Sequence, residues 1–296
     1  MNKKTLLITG TSGFIGYNFL KYILSKKYYV IDILRLKNKN NRKLNILRKE
    51  YPKNYKTIFF SKNHQLEKKI KKIKIDYFIN FATLYKNNHN HKDIFNFVDS
   101  NILFPTLIYD LICNKIKKII NFGSMMQYKN STKLTSQNLY AATKNSFEMI
   151  NNYYQYKNKN ISFYNLKLYE SYGENDYRNK LIPTIIKNYR LNKVTKILSK
   201  KLELNIIHVN DIVDAIMILL NNNIKPGTYC LKQKKNIKIK KLIETLNTKL
   251  TKKIKIKYQN QYLEKVNRAP IKILPKWSPN DKLIKKIGLN FYNENN

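Results

Sequence analysis

A chain of 296 residues that is 43% hydrophobic can bury a substantial core, enough for one large or two modest domains. Its 58 Lys and Arg against 18 Asp and Glu give a formal net charge of +40, yet lysine occurs in nearly every stretch, together with abundant Asn, Ile and Tyr. Charge spread in this way argues against a basic tail or a nucleic-acid patch and for a solvated, lysine-rich surface.

Two cysteines, Cys113 and Cys230, make no disulfide framework and no C-x-x-C pair, which fits a reducing compartment. Leu6, Leu7 and Ile8 are too few for the apolar core of a signal peptide, and no run approaches the roughly 20 residues of a membrane span. A cytoplasmic protein with no membrane insertion is expected.

In chain order, residues 5–9, 29–34, 57–60, 77–82, 118–123 and 161–168 read as strands, most of them apolar on both faces as buried parallel strands are. Between them, 14–26, 65–73, 94–115 and 140–157 carry helical spacing. This repeated βαβ order predicts an α/β fold with a doubly wound parallel (Rossmann) sheet. The lysine clusters KKIKKIK and KKNIKIKKL keep Ile and Leu at regular spacing and read as solvated faces of folded elements.

After residue 170 the pattern loosens into a YGENDYRNK loop, a helix near 181–192, a strand near 204–209 and a helix at 211–222. The expected organisation is a cofactor-binding domain over 1–169, to which 204–222 returns, and a smaller α+β substrate-binding domain over 170–296.

The opening segment LLITGTSGFIGYNFL sets Gly10, Gly13 and Gly16 three apart between a strand and a helix. Bare backbone there lets a pyrophosphate approach unpaired helix N–H groups at the positive end of the dipole. Gly10, Thr11, Ser12, Gly13, Phe14 and Ile15 are therefore cofactor-binding candidates, with Phe81 and Ala82 at the end of the fourth strand. The segment TGTSGFIG, with its G-x-x-G-x-x-G, closely resembles the opening of the extended short-chain dehydrogenase/reductase family, whose members act on nucleotide-linked sugars.

That resemblance implies a Ser and a Tyr-x-x-x-Lys. Ser124 follows the strand at 118–123, and Tyr140 and Lys144, four apart in NLYAATKNSFEM, share a helix face. A ketone being reduced needs a proton at oxygen as hydride reaches carbon, and a phenol is too weak an acid-base group unless tuned. The Lys144 ammonium would favour the Tyr140 phenolate while the Ser124 hydroxyl holds the carbonyl oxygen. Asn101 in DSNILFPTL matches a family asparagine that supports the proton relay; alternatively it bonds nearby backbone. Ser124 and Tyr140 are 16 positions apart, shorter than in many family epimerases, so the loop between them is trimmed.

NAD-binding members of the family end their second strand with a carboxylate that accepts from the ribose hydroxyls. That position falls here at Leu34, followed by Arg35 and Lys37. A guanidinium there can grip the extra phosphate of NADP, so NADPH is expected over NAD(H), with Arg35 as the discriminator and Lys37 beside it. Asp32, on the same strand face two residues earlier, is the counter-indication.

Family dehydratases carry an Asp-Glu pair after the triad Ser; here those positions are Met125 and Met126, which have no proton to exchange. Nor does a Cys follow Ser124, as it does in the epimerase-reductases that make fucose nucleotides. The segments LKLYESYGENDYRNKLIP and LNIIHVNDIVDAI resemble reductases of the abequose and paratose synthase type, which finish 6-deoxy and 3,6-dideoxy sugar nucleotides for surface polysaccharides such as capsule and lipopolysaccharide.

Substrate candidates are Ser124, Met125, Glu170 (where many relatives have Asn), Tyr177, Arg178 and Lys180. The two cations are placed for a substrate diphosphate, or are surface charges; Tyr172 and Tyr177 are placed to stack on a base. His89 and His91 lack a third ligand, so no metal is expected, and His208 reads as a helix cap. The expected activity is C4 reduction of a nucleotide-linked 4-keto sugar. The alternatives are an NAD-retaining 4-epimerase or 4-dehydrogenase, or a nucleotide-sensing or RNA-binding protein on a dehydrogenase fold. By family resemblance, a homodimer through the helices 94–115 and 140–157 is expected.

Overall fold

The computed structural model describes residues 3–128, 135–248, 250–262 and 270–280. Residues 129–134, in the stretch between Ser124 and Tyr140 where a trimmed loop is expected, and the last residues of the expected second domain, 281–296, lie outside the described residues.

The first half runs β1 (Lys4–Thr9), α1 (Phe14–Leu24), β2 (Tyr28–Arg35), α2 (Arg42–Glu50), β3 (Tyr55–Phe60), α3 (Gln65–Ile70), β4 (Tyr77–Asn80), α4 (Asp93–Val98), α5 (Phe104–Ile112), β5 (Lys118–Ser124), α6 (Leu139–Lys157) and β6 (Ser162–Leu168). The second half adds β7 (Glu170–Tyr172), α7 (Leu181–Arg190), β8 (Thr195–Ile197), β9 (Glu203–Leu204), β10 (Ile206–His208), α8 (Val209–Asn221), β11 (Gly227–Leu231), β12 (Ile237–Lys238), α9 (Ile239–Asn247) and β13 (Ile256–Tyr258).

Seven parallel strands form one sheet in the order β11-β6-β5-β4-β1-β2-β3. The strand order reverses between β1 and β4, and the crevice at the carboxyl ends there is where a doubly wound sheet takes its ligand. Alternation along the buried strands explains the two-sided core. Leu6, Ile8, Val30 and Leu34 pack under α1 and α8, whereas Leu7, Ile31, Ile33 and Phe78 pack under α3 and α5.

The edge strand β11 comes from the stretch after α8, and α8 buries Ile212, Ile216 and Leu219 in the same core as β1. A third core, built on Tyr172, Ile185, Ile206 and Leu242, lies under α7 and α9, with the strand pairs β7–β10, β8–β13 and β9–β12 around it. The expected helix over 94–115 is three pieces, with a π-turn at Asp99–Leu103 between α4 and α5. His208 caps α8, its Nδ1 accepting from the Asn210 N–H at 3.2 Å. Among the described residues no helix is long and apolar enough to cross a membrane.

Candidate active site

The glycine turn joins β1 to α1 at the switch point. Gly10 has φ of 76°, and a Cβ there would lie 2.4 Å from the Ala82 amide nitrogen, so glycine alone lets the turn pass the end of β4. A Cβ on Gly16 would meet the Gly10 carbonyl oxygen at 2.4 Å, which keeps α1 tight on the turn. Gly13 caps α1 without a side-chain hydrogen bond, leaving the first helical N–H groups facing the cleft for an anion. These features fit the diphosphate of a dinucleotide.

Gly10, Ser12, Gly13, Phe14 and Ile15 line a cleft of about 2440 Å³, and Phe81 and Ala82, packed against Gly10, line it too. Thr11 faces a smaller adjoining cavity together with Tyr177. Behind the turn, the Thr11 hydroxyl donates to Asp32 Oδ2, and the Tyr55 hydroxyl donates to the same oxygen at 2.7 Å. Asp32 is fully buried, and burial pushes its carboxyl up to about 7 against these hydrogen bonds. It braces the turn from behind, whereas Leu34, Arg35 and Lys37 line the cleft.

The Arg35 guanidinium pairs with Asp99 at 2.5 Å and lies over the stacked rings of Phe60 and Phe104, 5.7 and 5.8 Å from their centroids. Asp99 opens the π-turn, so the widened turn carries the carboxylate that aims Arg35.

Across the cleft, Ser124 ends β5, and Tyr140 and Lys144 rise from the first turns of α6, whose cap is the Asn138 side chain accepting from Ala141 N–H. Tyr140 is buried against Tyr85, ring centroids 5.0 Å apart. Burial, then the Tyr85 phenol, hold the Tyr140 phenol above its ordinary range; Arg178 and the Ser124 hydroxyl pull it back down. Lys144 donates to the Phe122 carbonyl at 3.0 Å, and burial, with Lys167 nearby, lowers it to about 7. Ser124, Tyr140 and Lys144 all line the cleft.

Asn101 stands behind this wall. Its amide oxygen accepts from Leu84 N–H at 2.7 Å and Thr83 Oγ1 at 3.1 Å, and its nitrogen donates to the Leu84 carbonyl and to Thr143 Oγ1. It ties the loop after β4 to α6, one residue from Lys144.

Met125, Glu170, Arg178 and Lys180 line the same cleft. Arg178 is held bidentately by Asp176, Nε to Oδ1 at 2.7 Å and Nη2 to Oδ2 at 2.8 Å, and lies over the Phe14 ring at 4.4 Å. Lys180 pairs with Glu170 at 3.0 Å and sits 4.0 Å above Tyr85. Tyr177 is exposed, its hydroxyl accepting from Lys43 at 3.0 Å. Tyr172 corrects the sequence expectation: it is in the core against His208 and is not available to stack on a base. Sequence reasoning passed over Asp99, Tyr85, Gln127 and Lys167; most of their partners are distant in the chain, but Gln127 also caps Ser124 three residues back, in an S-x-x-Q spacing that a sequence can show. For Asp99 the one available signal was an acid in the same DSNILFPTL segment as Asn101.

The parallel sheet, its switch point and the glycine turn define a dinucleotide-binding protein of the Rossmann class. Residues 6–231 match the NAD dependent epimerase/dehydratase family, and the chain belongs to that family. It is 28% identical over 221 residues to a CDP-abequose synthase of Yersinia pseudotuberculosis, covering 74% of each chain. A CDP-abequose synthase of Salmonella muenchen is 26% identical over 263 residues, 87% of this chain and 84% of that one. The fold is shared with a solved UDP-N-acetylglucosamine 4-epimerase from Methanobrevibacter ruminantium M1, with a TM-score of 0.82, 19% identity and 98% of both chains covered.

Proposed function

We propose that this protein is an NADPH-dependent reductase acting at C4 of a nucleotide-linked 4-keto-6-deoxy or 3,6-dideoxy sugar in surface polysaccharide synthesis. The observation that carries the reading is the cleft wall. Ser124, Tyr140 and Lys144 line it together, the phenol and the lysine buried, and the two residues after Ser124, Met125 and Met126, carry no acid or base for dehydration. The similarity to CDP-abequose synthases supports the reductase over an epimerase.

In this reading the bound nicotinamide supplies hydride to the carbonyl carbon. The Ser124 hydroxyl donates to the carbonyl oxygen and orients it; the Tyr140 hydroxyl delivers its proton to the same oxygen. Burial holds the phenol above its ordinary range and so protonated in the free protein, against the lowering expected from Lys144; the Lys144 side chain, in its charged form, would stabilise the phenolate as the proton leaves. Arg35, aimed by Asp99, takes the 2′-phosphate with Lys37 beside it. Lys180, with Arg178 behind it, faces the substrate diphosphate, and Glu170 accepts from sugar hydroxyls.

The exposed apolar side chains of α4 and α6, Phe95, Met149, Tyr153 and Tyr156, support a homodimer through this face, which light scattering tests. The direct test of function is a side-by-side titration of cofactor-stripped protein with NADPH and NADH. Clear preference for NADPH, and no nucleotide retained on purification, is the expected result; stoichiometric retained NAD would favour the 4-epimerase or 4-dehydrogenase instead.

A further inference from the structure

Beneath Ser124 lies a buried polar cluster. The Ser124 N–H donates to Gln127 Oε1 at 2.8 Å, and Ser124 Oγ accepts from Met126 N–H at 3.2 Å, so serine and glutamine cap one short turn reciprocally. Gln127 is fully buried and anchored from the far side. Its Oε1 also accepts from Lys167 Nζ at 2.9 Å, and its Nε2 donates to Glu148 Oε2 at 2.8 Å and to Asn145 Oδ1.

Lys167 and Glu148 form an ion pair with the lysine side chain 0% exposed, and Asn165 Nδ2 donates to the second Glu148 oxygen at 2.9 Å. Tyr140, Lys144 and Glu148 follow at four-residue steps along one face of α6, so the helix that carries the phenol also carries the cluster's acid. Asn165 and Lys167 alternate on β6 toward the same face. Gly123 makes the crossing possible: a Cβ there would lie 2.6 Å from Lys167 Cδ and 2.7 Å from Gln127 Oε1.

Burying an ion pair is an expensive way to fill space, and it contributes little net stability over apolar packing. What it does supply here is a fixed, directional hold on Gln127, and through the reciprocal cap on Ser124, which lines the cleft with Tyr140. We propose that Gln127, Lys167 and Glu148 are positioning residues that set the Ser124 hydroxyl against Tyr140 across the end of β5. This rests on the proposed reductase reading for its kinetic consequence, but its structural consequence is independent of substrate.

Without the hold, the three-residue turn relaxes and Ser124 Oγ leaves the phenol, so the carbonyl oxygen is presented off-line. Displacements of this size cost turnover far more than binding. Lys167 also contributes positive charge beside Lys144, adding to the burial that lowers it.

The test is Gln127→Met, near-isosteric and uncharged, alongside Lys167→Met/Glu148→Gln, which removes both charges of the pair together, and the conservative Lys167→Arg. In the first two, kcat is expected to fall about tenfold or more with substrate KM and NADPH Kd within about threefold, and Lys167→Arg to recover most of kcat. A crystal structure of Gln127→Met, or of the double variant should the first not fold, is expected to show the Ser124 hydroxyl displaced from its place in the cleft wall, with its hydrogen bond from Met126 N–H lost. Ser124 unmoved, or kcat within twofold of the parent despite its movement, would overturn the proposal. A parent enzyme inactive on nucleotide-linked 4-keto sugars with Ser124 displaced in the variant would instead sink the reductase reading and leave the positioning role standing.

Discussion

The two sides of the cleft use charge in opposite ways. On the α6 side, Lys144 and Lys167 are buried, each with defined partners, and their effect comes from direction and low dielectric. On the β2 and β7 side, the Arg35 side chain is 33% exposed and Glu170, the partner of Lys180, 39%, so water and salt share the work. Removing a group from the first side should therefore abolish a step, and from the second should retune an affinity.

The largest effect is expected at the phenol. Tyr140→Phe should lower kcat by about 10³-fold or more while NADPH affinity, measured by fluorescence titration, stays within about twofold. Retained turnover would remove the distinction between the two sides. Arg35→Leu should weaken NADPH by roughly 10- to 100-fold and leave NADH unchanged, with the loss shrinking at high salt. Equal losses for both cofactors would mean that Arg35 shapes the cleft and reads no phosphate.

Asp32 tests the buried pattern at the cofactor turn. Its carboxyl is pushed from 3.8 to about 7, chiefly by burial. Between roughly pH 4 and 7 the folded protein holds a proton that the unfolded chain has released, so this group lowers stability as pH rises through that window. Relative to Asp32→Asn, the parent should lose on the order of 2 kcal/mol between about pH 5 and 8, read from urea unfolding at each pH. A pH-independent difference would contradict the burial argument. The smallest effect is expected for Lys180→Met, a severalfold rise in substrate KM that added salt diminishes, since the pair with Glu170 is partly solvated.

The sheet was legible because fully buried parallel strands are continuous apolar runs: 5–9, 29–34 and 118–123 fall within a residue or two of β1, β2 and β5. So was α6, by period. Helix α2 was missed because its RKLNILRKE segment buries only Leu44 and Leu47, and its start rests on the Asn41 cap. The edge strand β11, GTYCL, has two solvent-facing residues before its buried ones and follows a long crossover, so local pattern did not announce it.

At the site, Ser124, Tyr140 and Lys144 were readable as a motif with a known spacing. Arg35 was readable by its place at the end of the second strand, but its partner Asp99 was not, and neither were Lys167 and Glu148, since a lysine in so basic a chain carries no local mark of burial. The fold, which brings β6 against α6 and the π-turn against β2, supplies these pairings.

The central claim is that Tyr140 and Ser124 protonate a ketone as hydride arrives from NADPH. Its most direct test incubates the protein with a nucleotide-linked 4-keto-6-deoxy sugar and NADPH deuterated at nicotinamide C4, and follows the sugar by mass spectrometry and NMR. One deuterium at sugar C4, with one NADPH oxidised per product and none of it in Tyr140→Phe, is the predicted result. The 4-keto sugar recovered unreduced with no NADPH oxidised, or a reduced sugar with no deuterium at C4, would contradict the account.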